Sequence, residues 1–398
     1  MTICFYLHVH QPHRIRHYRH SSIGRRDYFD ETEELETNNK RVLQKIVEKS
    51  YIPTNRVLLS LLERHPEFRL SLSITGTVVE QLEQHAPEAL ESFVALTETG
   101  KVEIVSETYH HSLSFFYSLS EFEAQVELHA KMVKRLFGQR PSAFRNTELA
   151  YNNDLGRWAG RRGYKAVLIE GWDYVLGDRS PNFLYHPPGE PNVKLLLKNY
   201  RLSDDIAFRF SENTWEGWPL TVEKFASWAS RINGNGDLVD LFMDYETFGE
   251  HQWEDTGIFD FLSSLPGELL KHPDNNFMTV SEAASKYPSR GELDVPHVLT
   301  WADTERDLSA WRGNAIQEDA LSRLYELEAR VFAARDPVLI DTWRRLTTSD
   351  HFYYMCTKWF NDGDVHAYFS PYESPYDAFS YYMNVLKDLE LRITAKNA

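Results

Sequence analysis

Short apolar runs, each emptying into a polar loop, alternate along most of the chain with stretches whose apolar positions recur every three or four residues. The first run, Ile3 to Leu7, opens into His8, Val9 and His10. Apolar spacing at Val42, Ile46, Leu58 and Leu61 predicts helix between Asn39 and Leu62, after which Phe68 to Ile74 is strand-like and Val78 to Leu82 helical. Val102 to Val105 repeats the strand theme and runs into the polar loop Ser106 to Ser114. A helix from Glu121 to Phe137 then leads to Ser142–Phe144 and the polar cluster Arg145 to Asn153. Lys165 to Ile169 and Leu238 to Met243 continue the series. Such alternation predicts an α/β fold with a parallel sheet. Ionisable residues fall just after the strands, where an α/β barrel builds its active site.

Beyond about residue 265 the texture changes. Pro266, Gly267, Pro273, Pro288, Gly291 and Pro296 punctuate a loop-rich connection, and helical periodicity dominates from Asp303 onward, through Leu321–Arg335, Leu339–Leu346 and Ala378–Leu391. The expected division is a barrel over residues 1–290 and a helical region over 291–398 that completes the cleft.

Composition narrows the function. The 398 residues are 42% hydrophobic and 26% charged, as in a packed globular chain. Forty-three Lys and Arg against 59 Asp and Glu leave a net charge of −16, unfavourable for a phosphate backbone or an anionic lipid surface, so no nucleic-acid or membrane partner is expected. Two cysteines, Cys4 and Cys356, exclude a disulfide framework, and with no secretory leader or apolar span evident the expected location is the cytoplasm. Aromatic residues reach 14%, and flat rings suit the apolar faces of sugars, although most rings in any protein are core.

Four constellations carry candidate chemistry. In HVHQPH, His8 and His10 suit metal ligation, hydrogen bonding to a polar ligand, or bracing of a loop. In GKVEIVSETYHH, Glu103 sits within an apolar run, where a carboxylate needs a proton or a partner; His110 and His111 follow in the loop, and at least one is placed to face a cleft. In FRNTELAYNND, Arg145 is placed to keep Glu148 ionised for nucleophilic attack, unless Asn146 or Thr147 merely caps a helix there. In LFMDYETFGEH, Asp244 ends a buried run and Glu246 lies on the same face of an extended chain, while Gly249 allows a close turn beside a ligand; a solvated strand-end turn is the plainer alternative. Nucleotide-binding and serine-nucleophile motifs are lacking.

These segments, in this order, resemble glycoside hydrolase family 57, in particular its α-amylase-like branch, with LTWADTERDLSAWRGN (Leu299 to Asn314) as a fifth matching region. The resemblance implies an incomplete (β/α)7 barrel followed by a helical region, and retaining action on α-glucosidic bonds of an α-glucan or maltooligosaccharide without metal or other cofactor. It assigns Glu148 as nucleophile and Asp244 as general acid/base. Substrate contacts are expected from His8, His10, Glu103, His111, Arg145, Asp204, Glu246, Trp301 and Trp311. A retaining enzyme needs one ionised and one protonated carboxyl, about 5–5.5 Å apart. Arg145 suits Glu148 to the ionised role, and the apolar run before Asp244 suits it to the protonated one, with Glu246 a rival. A glucanotransferase or branching enzyme shares that intermediate. A metal-dependent hydrolase or deacetylase using His8, His10 and Asp244, and a glucan-binding protein without turnover, are the readings of other classes.

Overall fold

The structure is a computed structural model that describes residues 1–397. Seven parallel strands form one curled sheet: β1 (Thr2–Val9), β2 (Leu70–Ile74), β3 (Val102–Ile104), β4 (Ala143–Arg145), β5 (Ala166–Glu170), β6 (Lys194–Lys198) and β7 (Leu238–Asp244). Their order in the sheet, β3-β2-β1-β7-β6-β5-β4, is circular, so the outer strands are neighbours in sequence. They meet at a single residue past the end of β3. The amide of Ser106 donates to the carbonyl of Ala143 at 2.9 Å, and the amide of Arg145 donates to the carbonyl of Ser106 at 2.8 Å. A two-residue strand, β8 (Asn276–Phe277), adds to β1 at its beginning.

Side-chain alternation fixes what lies inside. Along β1, Ile3, Phe5, Leu7 and Val9 face the surrounding helices, whereas Cys4 and Tyr6 face the barrel interior with Leu168, Leu196 and Phe242. The helix Val280–Lys286 closes the end where the strands begin: Val280, Ala283 and Ala284 pack into the interior beneath Cys4 and Tyr6. Its start is secured by a capping box between Thr279 and Glu282. The opposite end stays polar, because the last residues of the strands and the loops after them are His8, Glu107, Arg145, Glu170, Lys198 and Asp244.

Helices Ala315–Glu326, Pro337–Leu346 and Pro375–Asn397 build a second core around Trp311, Trp343 and Tyr382. Ile15, Tyr18 and Tyr28, from the long loop after β1, are part of that core, while Leu293, Val295 and Leu299 pack on the barrel wall. The helical region is thereby fastened to the polar end of the barrel. The amide of Ser349 donates to the carbonyl of His111 at 2.9 Å, and Tyr151 pairs with Leu299 as an isolated bridge.

Candidate active site

The loop after β4 makes a sharp turn. Glu148 and Leu149 lie in the left-handed region, at φ 59° and 53°, which aims the Glu148 carboxylate back across the barrel mouth. His111, in the loop after β3, is also left-handed at φ 51°. Non-glycine residues rarely sit there, and such strain gathers where side-chain aim matters. The two residues meet: His111 Nε2 lies 2.9 Å from Glu148 Oε1. The indole Nε1 of Trp301 donates to the other oxygen, Oε2, at 2.8 Å. The helix cap considered for Asn146 or Thr147 belongs instead to Asn152, which accepts from the amide of Leu155 at 3.1 Å.

Burial alone would raise the Glu148 carboxyl, but the hydrogen bond and charge of His111, with the charge of Arg145, hold it below the usual carboxylate value. His111 is the other half of that effect. Burial lowers its pKa, yet Glu107 and Glu148 outweigh burial and bring it to about 9, so the ring is a cation at neutral pH. His10, its ring tilted against that of His111 with centroids 4.0 Å apart, goes the other way, down to about 4 through burial and the charge of His111. It is held between Thr75 Oγ1 at 2.9 Å and Asp350 Oδ2 at 3.0 Å.

Across the mouth, His8 Nδ1 faces Asp244 Oδ1 at 3.5 Å, and the Asp244 side chain is 41% exposed to the cleft. Its pKa corrects the expectation that Asp244 is kept protonated. Partial desolvation favours the acid form, but the hydrogen bond and charge of His8 outweigh it and hold the carboxyl low. Glu246 carries the opposite combination. Its burial and the charge of Asp244 push it up to about 7, while Tyr51 and Gln11 bond its carboxyl beneath the loop. Access and proton are thus divided between two carboxylates two residues apart. Gly249, at φ 104°, lets the chain come close to the backbone carbonyl of Lys49.

Other expected residues fall around this centre unevenly. Arg145 is fully buried behind His111, with its guanidinium 5.1 Å over the Trp301 ring. Asp204 accepts from Lys198 at 2.9 Å, and Lys198 also lies over Trp301 at 5.4 Å and near the buried Glu170 at 3.8 Å. Two residues are out of place. Glu103 does not reach the pocket: it points to the closed end of the barrel, where Ser71 Oγ and the amide and hydroxyl of Ser281 bond it. Alternation along β3 sends it inward, but at the level of the capping helix. Trp311 is 1% exposed and packs in the helical core against Tyr353 at 5.9 Å, so its indole is not open to a sugar. Residues not anticipated from sequence are Glu107, Lys198, Glu170 and Asp350. Glu107 stood in the same polar loop as His111, and Asp350 follows a Thr-Thr-Ser run between two helices, a signal easily passed over.

His8, Glu107 and His111, and again His10, His111 and Asp350, bring ligand-type atoms within 4.8 Å of one another. Both groups share His111, whose ring nitrogens are divided between Glu107 and Glu148. The His8–His10–Asp244 set is also divided, since His10 turns both nitrogens to Thr75 and Asp350. The arrangement is that of an ion-paired network.

A parallel barrel that carries an ionised, strained glutamate and an accessible aspartate at its polar end has the pair of carboxyls a barrel glycosidase needs. The chain belongs to Glycosyl hydrolase family 57, whose model matches residues 4–296. It is 42% identical over 405 residues to a Methanocaldococcus jannaschii protein named "Putative alpha-amylase", covering 99% of this chain and 85% of that one. It is 22% identical over 270 residues to a 4-alpha-glucanotransferase of Thermococcus litoralis, 67% of this chain and 40% of that one. Among solved structures, the GH57-type branching enzyme from Pyrococcus horikoshii superposes with a TM-score of 0.67 at 16% identity, over 92% of this chain and 87% of that one.

Proposed function

We propose that the protein cleaves α-1,4-glucosidic bonds in α-glucans or maltooligosaccharides with retention of configuration, through a glycosyl-enzyme intermediate on Glu148. The observation that carries this reading is the Glu148 carboxylate, held ionised by His111 on one oxygen and Trp301 on the other. Such a carboxylate is a ready nucleophile and, in the second step, a stable leaving group.

In the first step a Glu148 oxygen bonds to the anomeric carbon as the bond from that carbon to the leaving oxygen breaks, and Asp244 gives that oxygen its proton. In the second, water bonds to the anomeric carbon, its proton passes to Asp244, and the bond to Glu148 breaks. Both carboxyls return to their starting state. Asp244 is assigned the proton transfers because it is the one open to the cleft, and a bound glucan that strips water from it raises its pKa toward the working range. Glu246 then acts from below, its negative charge or proton tuning Asp244. Free, buried Cys4 and Cys356 suit a reducing compartment such as the cytoplasm, and among the described residues no helix is long and apolar enough to cross a membrane.

Incubation with maltoheptaose tests the reading, with products and their anomeric configuration followed over time. Shorter α-configured products support it. Inverted products, or none, remove it, and a mixture of longer and shorter chains would make a sugar hydroxyl the acceptor in place of water.

A further inference from the structure

Glu148 and Asp244 come from opposite sides of the barrel mouth, and one buried anion stands between them. The Glu107 side chain is 0% exposed. Its Oε2 lies 3.1 Å from His8 Nε2, 3.7 Å from His111 Nδ1 and 3.7 Å from Arg145 Nη1, and its Oε1 has no hydrogen-bond partner among the described residues. The other nitrogens of the two histidines point outward, His8 Nδ1 to Asp244 at 3.5 Å and His111 Nε2 to Glu148 at 2.9 Å. The rings of His8 and His111 stack at 4.9 Å. A continuous chain of contacts therefore runs Asp244–His8–Glu107–His111–Glu148. Resting on the function proposed above, we propose that Glu107 is a positioning residue that joins the nucleophile and the acid/base into one electrostatic unit.

The reaction explains why such a unit helps. When Glu148 spends its charge in bonding to the anomeric carbon, the cationic His111 beside it would be left uncompensated next to developing positive charge on the sugar. Glu107 supplies the compensation from the buried side. When Glu148 departs in the second step, His111 is still charged and oriented to receive it. Without Glu107, His111 and Arg145 would stand together with like charge in a dry site, where repulsion is weakly screened. The groups facing His111 are Glu107 and Glu148 as anions, Arg145 as a cation, the rings of His8 and His10, and Asp350 beyond His10. The backbone amide of Glu107 is also turned to His129 Nδ1, 3.5 Å away, which fixes the loop.

Glu107→Gln keeps the size and one acceptor oxygen but removes the charge. With an activated aryl maltooligosaccharide, formation and hydrolysis of the intermediate are measured separately across pH. Both steps should slow about tenfold or more, the size of coupling found between groups in one network, with KM little changed. The alkaline limb of the rate profile should move down by about one pH unit or more, because His111 loses its buried counter-ion. Glu107→Asp should restore the limb. A Glu107→Gln profile that overlays the parent, or a variant that loses only thermal stability, overturns the proposal. If Glu107→Gln does not fold, the titration of His111 is followed by imidazole NMR in the parent and in Asp244→Asn. Coupling through His8 and Glu107 predicts a shifted His111 pKa in Asp244→Asn, and an unchanged one overturns it. Turnover surviving in Glu148→Ala would sink the glycosidase reading itself, whereas an inactive Glu148→Ala beside an unaffected Glu107→Gln sinks this inference alone.

Discussion

Glu103 and Glu107 are four residues apart on β3 and its loop, the first half-buried and the second buried, both facing the barrel interior, and they belong to different worlds. Glu103 lies at the closed end among neutral donors, Ser71 and Ser281; burial is its largest influence and raises its pKa. Glu107 lies at the open end among His8, His111 and Arg145; burial opposes its charge, but its interactions with these three residues hold the carboxyl well below its ordinary value. Neutral hydrogen bonds suffice to anchor a helix under a barrel. Charge compensated by charge is needed where a reaction will move charge, and the price is strain at His111 and Glu148.

Substitutions at the two ends should therefore fail in different ways. The largest effect is expected at Glu148. Glu148→Ala should reduce turnover to background with every leaving group, and azide should restore a β-azide product by direct displacement; retained turnover without azide breaks the comparison. Asp244→Ala comes next. Loss of the proton donor should slow natural substrates roughly 10²–10⁴-fold, while an activated aryl substrate still forms the intermediate and azide gives the α-azide. Should Glu246→Ala show this behaviour while Asp244→Ala stays active, the proton outranks access and the acid assignment moves to Glu246.

The pH profile sharpens the same contrast. The folded pKa of His111, about 9, lies above its ordinary value of 6.5, so the stabilising His111–Glu148 pair is fully present below 6.5 and is lost as pH rises through about 9. Activity and stability should both fall on that alkaline side, and a limb that stays flat past pH 9 would separate the ring from the nucleophile. Glu103→Ala at the closed end should cost about 1–3 kcal/mol by leaving its hydrogen-bond donors unpaired, and Trp311→Ala in the helical core about 3–5 kcal/mol, each read by denaturant unfolding. KM of the folded fraction should not change in either; a raised KM in Trp311→Ala would return that indole to the substrate. Exhaustive chelation should have no effect on turnover, and activity restored by a divalent ion would recast the His111 groups as a metal site.

What could be read in the sequence followed the physics of strands. Six of the seven long strands announce themselves as apolar runs, and β6 does not, because KLLLK carries lysine at both ends and follows a Pro- and Gly-rich stretch. That flanking Lys198 is turned inward beside Glu170 and Trp301, a placement that only the barrel explains. Chemistry directly after a strand was legible, as at His8, His111, Glu148 and Asp244. Direction along the barrel axis was not, since alternation tells inside from outside but not top from bottom, so nothing in the sequence places Glu103 at the closed end and Glu107 at the open one. Nor does any local pattern around Asp350 reveal that a helical region some 340 residues downstream will be the partner of His10.

The pairing of β1 with β7 runs in register from Thr2 opposite Leu238 to His8 opposite Asp244. On a growing or refolding chain, the first strand must therefore wait for more than half the sequence before its central neighbour exists. Contacts of such long separation form slowly, and the first strand is apolar and unpaired on that side in the meantime. Trp301 and Asp350 arrive later still. Helical signal should consequently return well before catalysis on dilution from denaturant, and the exposed edge of β1 is where intermediates would aggregate. The site doubles as a clock for folding, ticking only when both ends of the chain have found each other.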